Sequence, residues 1–301
     1  MTTRTEEQAD DPARVAAGEV PAAVVPGLTA GAVPPAVRAS AGWLALRREA
    51  DEEARDHGAG GLLDRLVRHL HECGAAVVRV VDVGAGTGAN RDYLGPRLPF
   101  AQEWVVVDHD AELLGHADHR DALRVEAGAG DLDEVLAGLP PGDGAPTVLT
   151  CAALLDVLDR PDVDRFAEAV DRSGAPALLS LSVTGSVEWS PEDPGDAGLR
   201  ASFDAHQRRR GRPGPDAVRM LRDDLVGRGL RVHAAGTPWT LDARRPELLG
   251  RWLGERVEAA VEESPEQVSA LRAWRARRLE QLAGGRLDVR VDHEDLLVLP
   301  R

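Results

Sequence analysis

The sequence predicts an α/β protein in which one doubly wound, mostly parallel sheet carries helices on both faces. Short apolar runs rich in β-branched residues alternate with longer amphipathic segments, the pattern of strands joined by helical crossovers. A glycine-rich turn follows the first run, as at a ligand-binding strand end. The chain has 301 residues, 43% of them apolar, which is enough for one large core. The predicted strands are 75–84, 104–108, 123–128, 146–151, 176–183, 230–239 and 286–300, the last as two short strands or one long bent strand.

The helix predictions rest on apolar spacing and on the residues that begin and end each helix. Two prolines precede 36–58, and a proline is tolerated in a first helical turn. In 61–74, leucines and a valine recur on one helical face before a terminal glycine. We expect 35–74 to form an N-terminal helical cap and 245–283 a helical insertion, both over the ligand pocket. Further helices are predicted over 160–174 and 216–228, and one begins at Ser264.

Two segments carry no regular pattern. Residues 1–34 are rich in Ala, Pro, Gly and Val and are expected to be a flexible lead-in. The polar stretch 184–215 is too long for a simple connection and is expected to be a lid inserted in the main domain, 75–301.

Charge and composition exclude several functions. The formal net charge of -15 argues against a nucleic-acid partner and against an anionic membrane, because both are bound by clustered basic residues. The one basic cluster, Arg208–Arg210 with Arg212, is interpreted as solvated or at most as a clamp for an acidic small molecule. Two cysteines make no disulfide framework. The sequence shows no secretory h-region and no membrane-spanning apolar stretch, so a cytoplasmic location is expected.

The strongest chemical signal is the segment VDVGAGTGAN, which ends the first predicted strand. Gly84, Gly86 and Gly88 lack side chains, so the backbone can turn tightly and approach a ligand. Twenty residues after Gly88, at the end of the next strand, Asp108 can accept hydrogen bonds from both hydroxyls of a ribose. The segment therefore predicts a site for an adenosine-containing cofactor.

Two classes of cofactor fit this segment. Gly84, Gly86 and Ala89 satisfy the dinucleotide pattern G-x-G-x-x-G/A, which leaves an NAD(P)-dependent oxidoreductase open. Gly88, however, adds a G-x-G-x-G spacing. Asp82 stands two residues before the first glycine, where a carboxylate would repel a pyrophosphate but attract a cationic amino group. These details favour a cofactor with an amino group.

These motifs resemble those of the class I S-adenosylmethionine-dependent methyltransferases. VDVGAGTG is similar to the family's first glycine-rich motif, and WVVVDHDAELL is similar to its second strand with the ribose-binding acid. The strands around 230–239 and 288–298 resemble the family's closing pair, in which the last strand is antiparallel. The resemblance implies a Rossmann-like, seven-stranded sheet with S-adenosylmethionine as the cofactor.

The resemblance also implies which residues hold the cofactor. It places Asp82 near the amino group of the methionine, Asp108 at the ribose, and Asp131 of the segment GAGDL near the adenine amine. The full set that it implies is Asp82, Gly84, Ala85, Gly86, Gly88, Asp108, His109, Asp131 and Leu132.

The expected reaction is transfer of a methyl group to a small-molecule acceptor by in-line displacement, which depends on proximity and orientation. Asp156, in the segment after the fourth strand, is a candidate for orienting the acceptor, and His206 is the candidate base because histidine titrates near neutrality. The Asn/Asp-Pro-Pro-aromatic motif of members that methylate exocyclic amines is absent from TCAA (150–153). His109, His116 and His119 lack a further ligand at metal-site spacing, so no metal is expected. A non-catalytic relative of the same fold is the remaining alternative.

Overall fold

A mixed sheet of eight strands is the centre of the fold in the computed structural model, which describes residues 39–116, 119, 121–141 and 144–301. The lead-in predicted for 1–34 lies outside the described residues. Along the sheet the strands are ordered β3-β2-β1-β4-β5-β8-β6, and β7 pairs with β8 beside this path. The strands are β1 Val77–Val83, β2 Ala101–Asp108, β3 Leu123–Glu126, β4 Thr147–Ala152, β5 Ala177–Ser190, β6 Arg231–Gly236, β7 Trp239–Leu241 and β8 Asp288–Leu299.

The predicted fold class is confirmed. Strands β1 to β5 pair in parallel, and β8 runs antiparallel to β5, β6 and β7. The strand count differs by one from the expected seven, because the predicted strand 230–239 breaks into β6 and β7. The last predicted strand is one long strand, β8, whose first half pairs with β7 and whose second half pairs with β6.

Helices cover both faces of this sheet and one of its ends. They are α1 Ala41–Gly58, α2 Leu62–Glu72, α3 Ala89–Leu94, α4 Ala111–Leu114, α5 Leu132–Gly138, α6 Arg160–Ser173, α7 Asp196–Gln207, α8 Ala217–Gly227, α9 Pro246–Glu263 and α10 Val268–Ala283. No helix within the described part of the chain is long and apolar enough to cross a membrane.

The alternation of side chains along β1 explains why both faces need helices. Val81 and Val83 pack in a core with Phe166 of α6 and Leu221 of α8. Val78 and Val80 point to the opposite face, where they pack with α2. Burial on both faces is the reason that this strand is a continuous apolar run. Helix α2 therefore lies on the sheet, although the whole of 35–74 was expected over the pocket.

A further apolar cluster lies beyond the parallel strands, and it includes part of the segment 184–215 that is predicted to be a lid. Strand β5 continues to Ser190, and α7 follows at Asp196. The cluster joins α7, α9 and α10 to β7 and to the first half of β8, with Trp252 and Trp274 among its buried members.

The direction in which the sheet is built reverses at β1, which has β2 on one side and β4 on the other. In open α/β sheets, ligands bind at the carboxyl ends of the strands next to such a reversal. The fold therefore places the glycine-rich segment after β1 and the acid at the end of β2 beside one crevice.

Candidate active site

A cavity of about 760 Å³ lies at the carboxyl ends of β1, β2 and β4. The loops after these strands form one side of it, and α1, α7 and α9 contribute the other. It extends from the glycine-rich loop to a second compartment lined by aromatic and charged side chains, whose residues are Phe203, Trp239, Trp252, Arg256 and His293, with Arg47 and Asp156 beside them.

The glycine-rich loop requires glycine at the two positions that line the cavity. Gly84 and Gly86 have φ of +68° and +56°, a backbone conformation that residues with a side chain rarely adopt. A Cβ on Gly84 would lie 2.8 Å from Leu154 Cδ1, and one on Gly86 would lie 3.0 Å from Leu44 Cδ1. Ala85 also lines the cavity. Gly88 is not among the cavity residues, since it precedes α3 as the N-terminal cap with φ of +94°.

Asp108 lies at the cavity with its carboxylate fixed in place. Its Oδ2 accepts a hydrogen bond from the Gly86 amide at 2.9 Å, and its Oδ1 accepts one from the Asp110 amide at 2.9 Å. A carboxylate has about four acceptor positions, so further donors can still bind. His109 Nδ1 lies 3.4 Å from Asp108 Oδ1, and His109 Nε2 is buried with no hydrogen-bond partner among the described residues. This edge of the cavity fits the hydroxyls of a ribose.

The β3 end of the cavity holds one of the two residues predicted there. Asp131 lines the cavity, and its Oδ2 accepts a hydrogen bond from the Gly128 amide at 3.1 Å. Leu132 was expected at the cofactor, but it is 1% exposed and packs in the core with α6. It begins α5, whose apolar face turns to the sheet.

Asp82 does not line the cavity as expected; it is fully buried beneath the glycine-rich loop. Its Oδ1 accepts a hydrogen bond from Asn90 Nδ2 at 2.7 Å, and Asn90 Oδ1 accepts one from Arg55 Nη1 at 3.0 Å. Burial raises the pKa of Asp82 to about 7, partly offset by the Asn90 hydrogen bond and the Arg55 charge. Of the three hydrogen-bonded side chains of Asp82, Asn90 and Arg55, only that of Asn90 lines the cavity.

The two predicted catalytic residues occupy different places. Asp156, in the short helix Leu155–Val157 after β4, lines the cavity, and burial raises its pKa. His206 is not among the cavity residues, although Phe203, Asp204 and Gln207 of the same helix are. Its Nε2 lies 3.3 Å from Glu262 Oε2. His206 is therefore not placed to act on a ligand in this cavity.

The structure brings His293, which sequence reasoning missed, into the second compartment. Its Nδ1 donates to the Val291 carbonyl at 3.0 Å, which leaves a lone pair on Nε2. Burial, with the charges of Arg47 and Arg256, lowers its pKa to about 3, so the ring is neutral at pH 7. The signal was its place in β8, where it continues the inward-facing alternation of Val289 and Val291.

Arg256 is the other residue that sequence reasoning missed. It lies between Trp252 and Ala260 on the buried side of α9 and is 9% exposed. Its guanidinium carbon lies 4.1 Å from the ring centre of Phe203 and 4.2 Å from that of Trp252. A charged residue within an apolar helical stripe was the available signal.

The described residues contain no group of three or more His, Cys, Asp or Glu side chains that could hold a metal ion. The histidines at 109 and 119 have other surroundings. His119 is fully buried and lies 2.9 Å from the Gly86 carbonyl, behind the glycine-rich loop.

Comparisons with known proteins give distant structural matches. No protein-family model and no curated protein sequence matches the chain. Among solved structures it is similar to a cyclopropane synthase of Mycobacterium tuberculosis, with 15% identity, a TM-score of 0.39 and coverage of 78% of this chain and 83% of that one. A phosphoethanolamine N-methyltransferase of Haemonchus contortus, bound to phosphomonomethylethanolamine and S-adenosylhomocysteine, matches with 12% identity, a TM-score of 0.36 and coverage of 79% and 53%. A geranyl diphosphate methyltransferase matches with 14% identity, a TM-score of 0.38 and coverage of 79% and 77%.

The TM-scores of these matches are all below 0.5, so the resemblance to class I methyltransferases rests on the sequence motifs and on the sheet topology. Identities and TM-scores this low carry no information on what this chain binds. The residues of the cavity are the basis for its function.

Proposed function

We propose that this chain is an S-adenosylmethionine-dependent methyltransferase that acts on a small molecule. The observation that carries the proposal is the continuity of the cavity. One end has the glycine-rich loop and the fixed carboxylate of Asp108, and the other has a walled compartment with Asp156 and His293. A cofactor and an acceptor in these two compartments would meet without crossing bulk solvent, as a transfer between them requires.

The residues at the first compartment fit the cofactor. Gly84 and Gly86 leave room that a side chain would fill. Asp108 accepts hydrogen bonds from the ribose hydroxyls. Asp131 and the Nε2 of His109, which has no hydrogen-bond partner among the described residues, are available to the rest of the nucleoside. Asp82 acts at a distance by holding Asn90, which itself faces the cavity. When bound, S-adenosylmethionine supplies a methyl group on a sulfonium centre that is its own leaving group.

The second compartment orients the acceptor and takes up its proton. His293 Nε2 has a lone pair at neutral pH, so it can accept a hydrogen bond from a hydroxyl or an amine and orient that group, while its lowered pKa makes it a weak base. Asp156 lies between the charges of Arg47 and Arg256 and can accept a hydrogen bond from the same group. The rings of Phe203, Trp239 and Trp252 line this end of the cavity. Because burial raises the pKa of Asp156, its carboxylate is the better proton acceptor, so Asp156, in place of His206, is our candidate base and His293 is a positioning residue.

A small acceptor fits this site better than a macromolecule. The compartment is enclosed by α1, α7 and α9. The chain has 51 acidic and 36 basic residues, a balance that disfavours binding a nucleic acid. The acceptor is therefore expected to enter the cavity as a whole.

Calorimetric titration with S-adenosylhomocysteine and with NADH tests the cofactor. We expect S-adenosylhomocysteine to bind and NADH not to bind. Asp108→Asn keeps one acceptor oxygen and should weaken S-adenosylhomocysteine binding at least about tenfold, the value of a hydrogen bond to a charged group. Glu103→Gln, an exposed position on the same strand, is the control. Binding of NADH alone would point to an oxidoreductase, and binding of neither would point to a non-catalytic relative; either overturns the proposal.

A further inference from the structure

Three arginines are buried within the described part of the chain, and only one of them lacks a hydrogen-bond partner. Arg55 donates to Asn90 Oδ1 at 3.0 Å. Arg278 donates to the Pro191 carbonyl at 2.7 Å and is paired with Asp196. Arg256 makes no hydrogen bond or ion pair within the described residues, and its Nε is buried without a partner. Of the three, only Arg256 lines the cavity.

An unpaired, desolvated guanidinium costs free energy unless an anion is placed against it. Stacking on Phe203 and Trp252 recovers part of this cost, but it leaves the in-plane N–H donors unused. Burial lowers the pKa of Arg256 to about 10, so the group remains charged at neutral pH. A ligand that enters the cavity can supply the anion that the protein does not.

The carboxylates nearest to Arg256 do not take this role. Asp156 and Asp204 act on it electrostatically, but neither forms an ion pair with it within the described residues. Asp204 lies 3.7 Å from Arg200 instead. Arg47, the other arginine of this compartment, is paired with Asp51 at 2.8 Å.

We propose that the methyl acceptor carries a carboxylate group and that the in-plane N–H donors of Arg256 bind it. The proposal rests on the proposed function, since it names the acceptor of that same site. A carboxylate is favoured over a phosphate because its planar pair of oxygens matches the in-plane N–H donors that stacking leaves unused, and because it carries a single charge. The full charge of a phosphate dianion would face Asp156 and Asp204 in the same compartment.

Binding of matched pairs of small aromatic probes tests this proposal. Benzoate and phenylacetate are compared with benzyl alcohol and 2-phenylethanol, and phenyl phosphate is the third arm. Each is titrated into the full chain, with and without S-adenosylhomocysteine, by calorimetry and by tryptophan fluorescence. We expect at least one carboxylate to bind at least about tenfold more tightly than its alcohol and than phenyl phosphate. No preference for any carboxylate, or a preference for the phosphate, would overturn the inference.

Two variants locate the charge responsible. Arg256→Met should weaken carboxylate binding about 30-fold or more, as expected for loss of one partner of a buried charge pair worth at least ~2 kcal/mol, and leave alcohol binding unchanged. Arg210→Met removes the same charge from an exposed residue at the same cavity and should have little effect. Equal weakening of both probe types by Arg256→Met would indicate a purely structural role. A larger effect of Arg210→Met would place the anchor in the basic cluster 208–212. Either result overturns the inference.

The measurements on the unmodified chain decide the inference even if Arg256→Met does not fold. They also separate it from the proposed function. If S-adenosylhomocysteine binds but no carboxylate is preferred, this inference fails while the proposed function stands. If S-adenosylhomocysteine does not bind, the proposed function fails and the acceptor assignment falls with it.

Discussion

Asp82 offers a quantitative test of the buried network beneath the glycine-rich loop. The side chain is fully buried, and its Oδ2 has no hydrogen-bond partner within the part of the chain that the structure describes. The other carboxylate oxygen, Asp82 Oδ1, accepts a hydrogen bond from Asn90 Nδ2 at 2.7 Å. Burial outweighs this hydrogen bond and the charge of Arg55, which is why the pKa rises from 3.8 to about 7.

This shift makes the folded state bind a proton more tightly than the unfolded state does. The resulting stabilisation is fully present below pH 3.8 and is lost as the pH rises through 7. A shift of about three units corresponds to roughly 4 kcal/mol in total, of which about 2.5 kcal/mol is lost between pH 5 and pH 8. The side-chain amide of the Asp82→Asn variant cannot ionise, so that loss should be absent.

Urea unfolding of the unmodified chain and of Asp82→Asn at pH 5 and pH 8 measures the difference. Other groups titrate in this range, but their contributions are common to both proteins and cancel. We expect the unmodified chain to lose about 2.5 kcal/mol more than the variant between the two pH values. Asp92→Asn, at an exposed position, should behave as the unmodified chain does. If the stabilities of the unmodified chain and Asp82→Asn changed in parallel with pH, the assignment of a raised pKa to Asp82 would be wrong.

Three further predictions concern the loop, a buried ion pair and the candidate base. Gly84→Ala should weaken S-adenosylhomocysteine binding because its Cβ would meet Leu154. Gly74 has a similar φ but open space around it, so Gly74→Ala should lower only the free energy of unfolding, by about 1–2 kcal/mol. Equal S-adenosylhomocysteine binding by the two variants would contradict this prediction. Arg278→Met breaks a buried pair and should lower the free energy of unfolding in urea by about 3–5 kcal/mol, while Arg277→Met, which removes a half-exposed side chain, should change it far less; similar losses would show that burial does not decide. Asp156→Asn should reduce turnover about 100-fold or more with unchanged S-adenosylhomocysteine affinity, and full turnover would exclude Asp156 as the base.

The parallel strands were predictable because their burial is encoded locally. Strands β1, β2 and β4 lie between other strands and under helices, so apolar runs with glycine or proline at their ends mark them within a few residues. The second half of β5 was missed because VTGSVEWS is polar on one side. That half is held by antiparallel pairing with β8, roughly one hundred residues later in the chain. Such long-range pairing leaves no pattern within the segment itself.

The site likewise contains parts that a local sequence pattern predicts and parts that depend on long-range packing. The proposed cofactor compartment comes from a contiguous motif and the ends of neighbouring strands, so the positions of Gly84, Gly86 and Asp108 at the cavity could be predicted from sequence. Choosing His206 required knowing which side of α7 faces the cavity, and Asp204 and Gln207 on the same helix do face it. Asp82 was placed at the ligand because the motif does not show that Asn90 stands in front of it.

The two compartments of the cavity are supported by different apolar clusters. The proposed cofactor compartment is formed by the parallel strands and the cores on their two faces. Trp239, Trp252 and Val291 of the proposed acceptor compartment belong to the cluster of α7, α9, α10 and β8. Substitutions at well-separated positions usually have additive effects on stability. Changes at Arg256 should therefore alter the choice of acceptor without altering affinity for the cofactor, because its side chain stacks on Phe203 of α7 and Trp252 of α9, which do not belong to the glycine-rich loop. The acceptor preference of this fold can then change in the helices around α9 while the cofactor site stays the same.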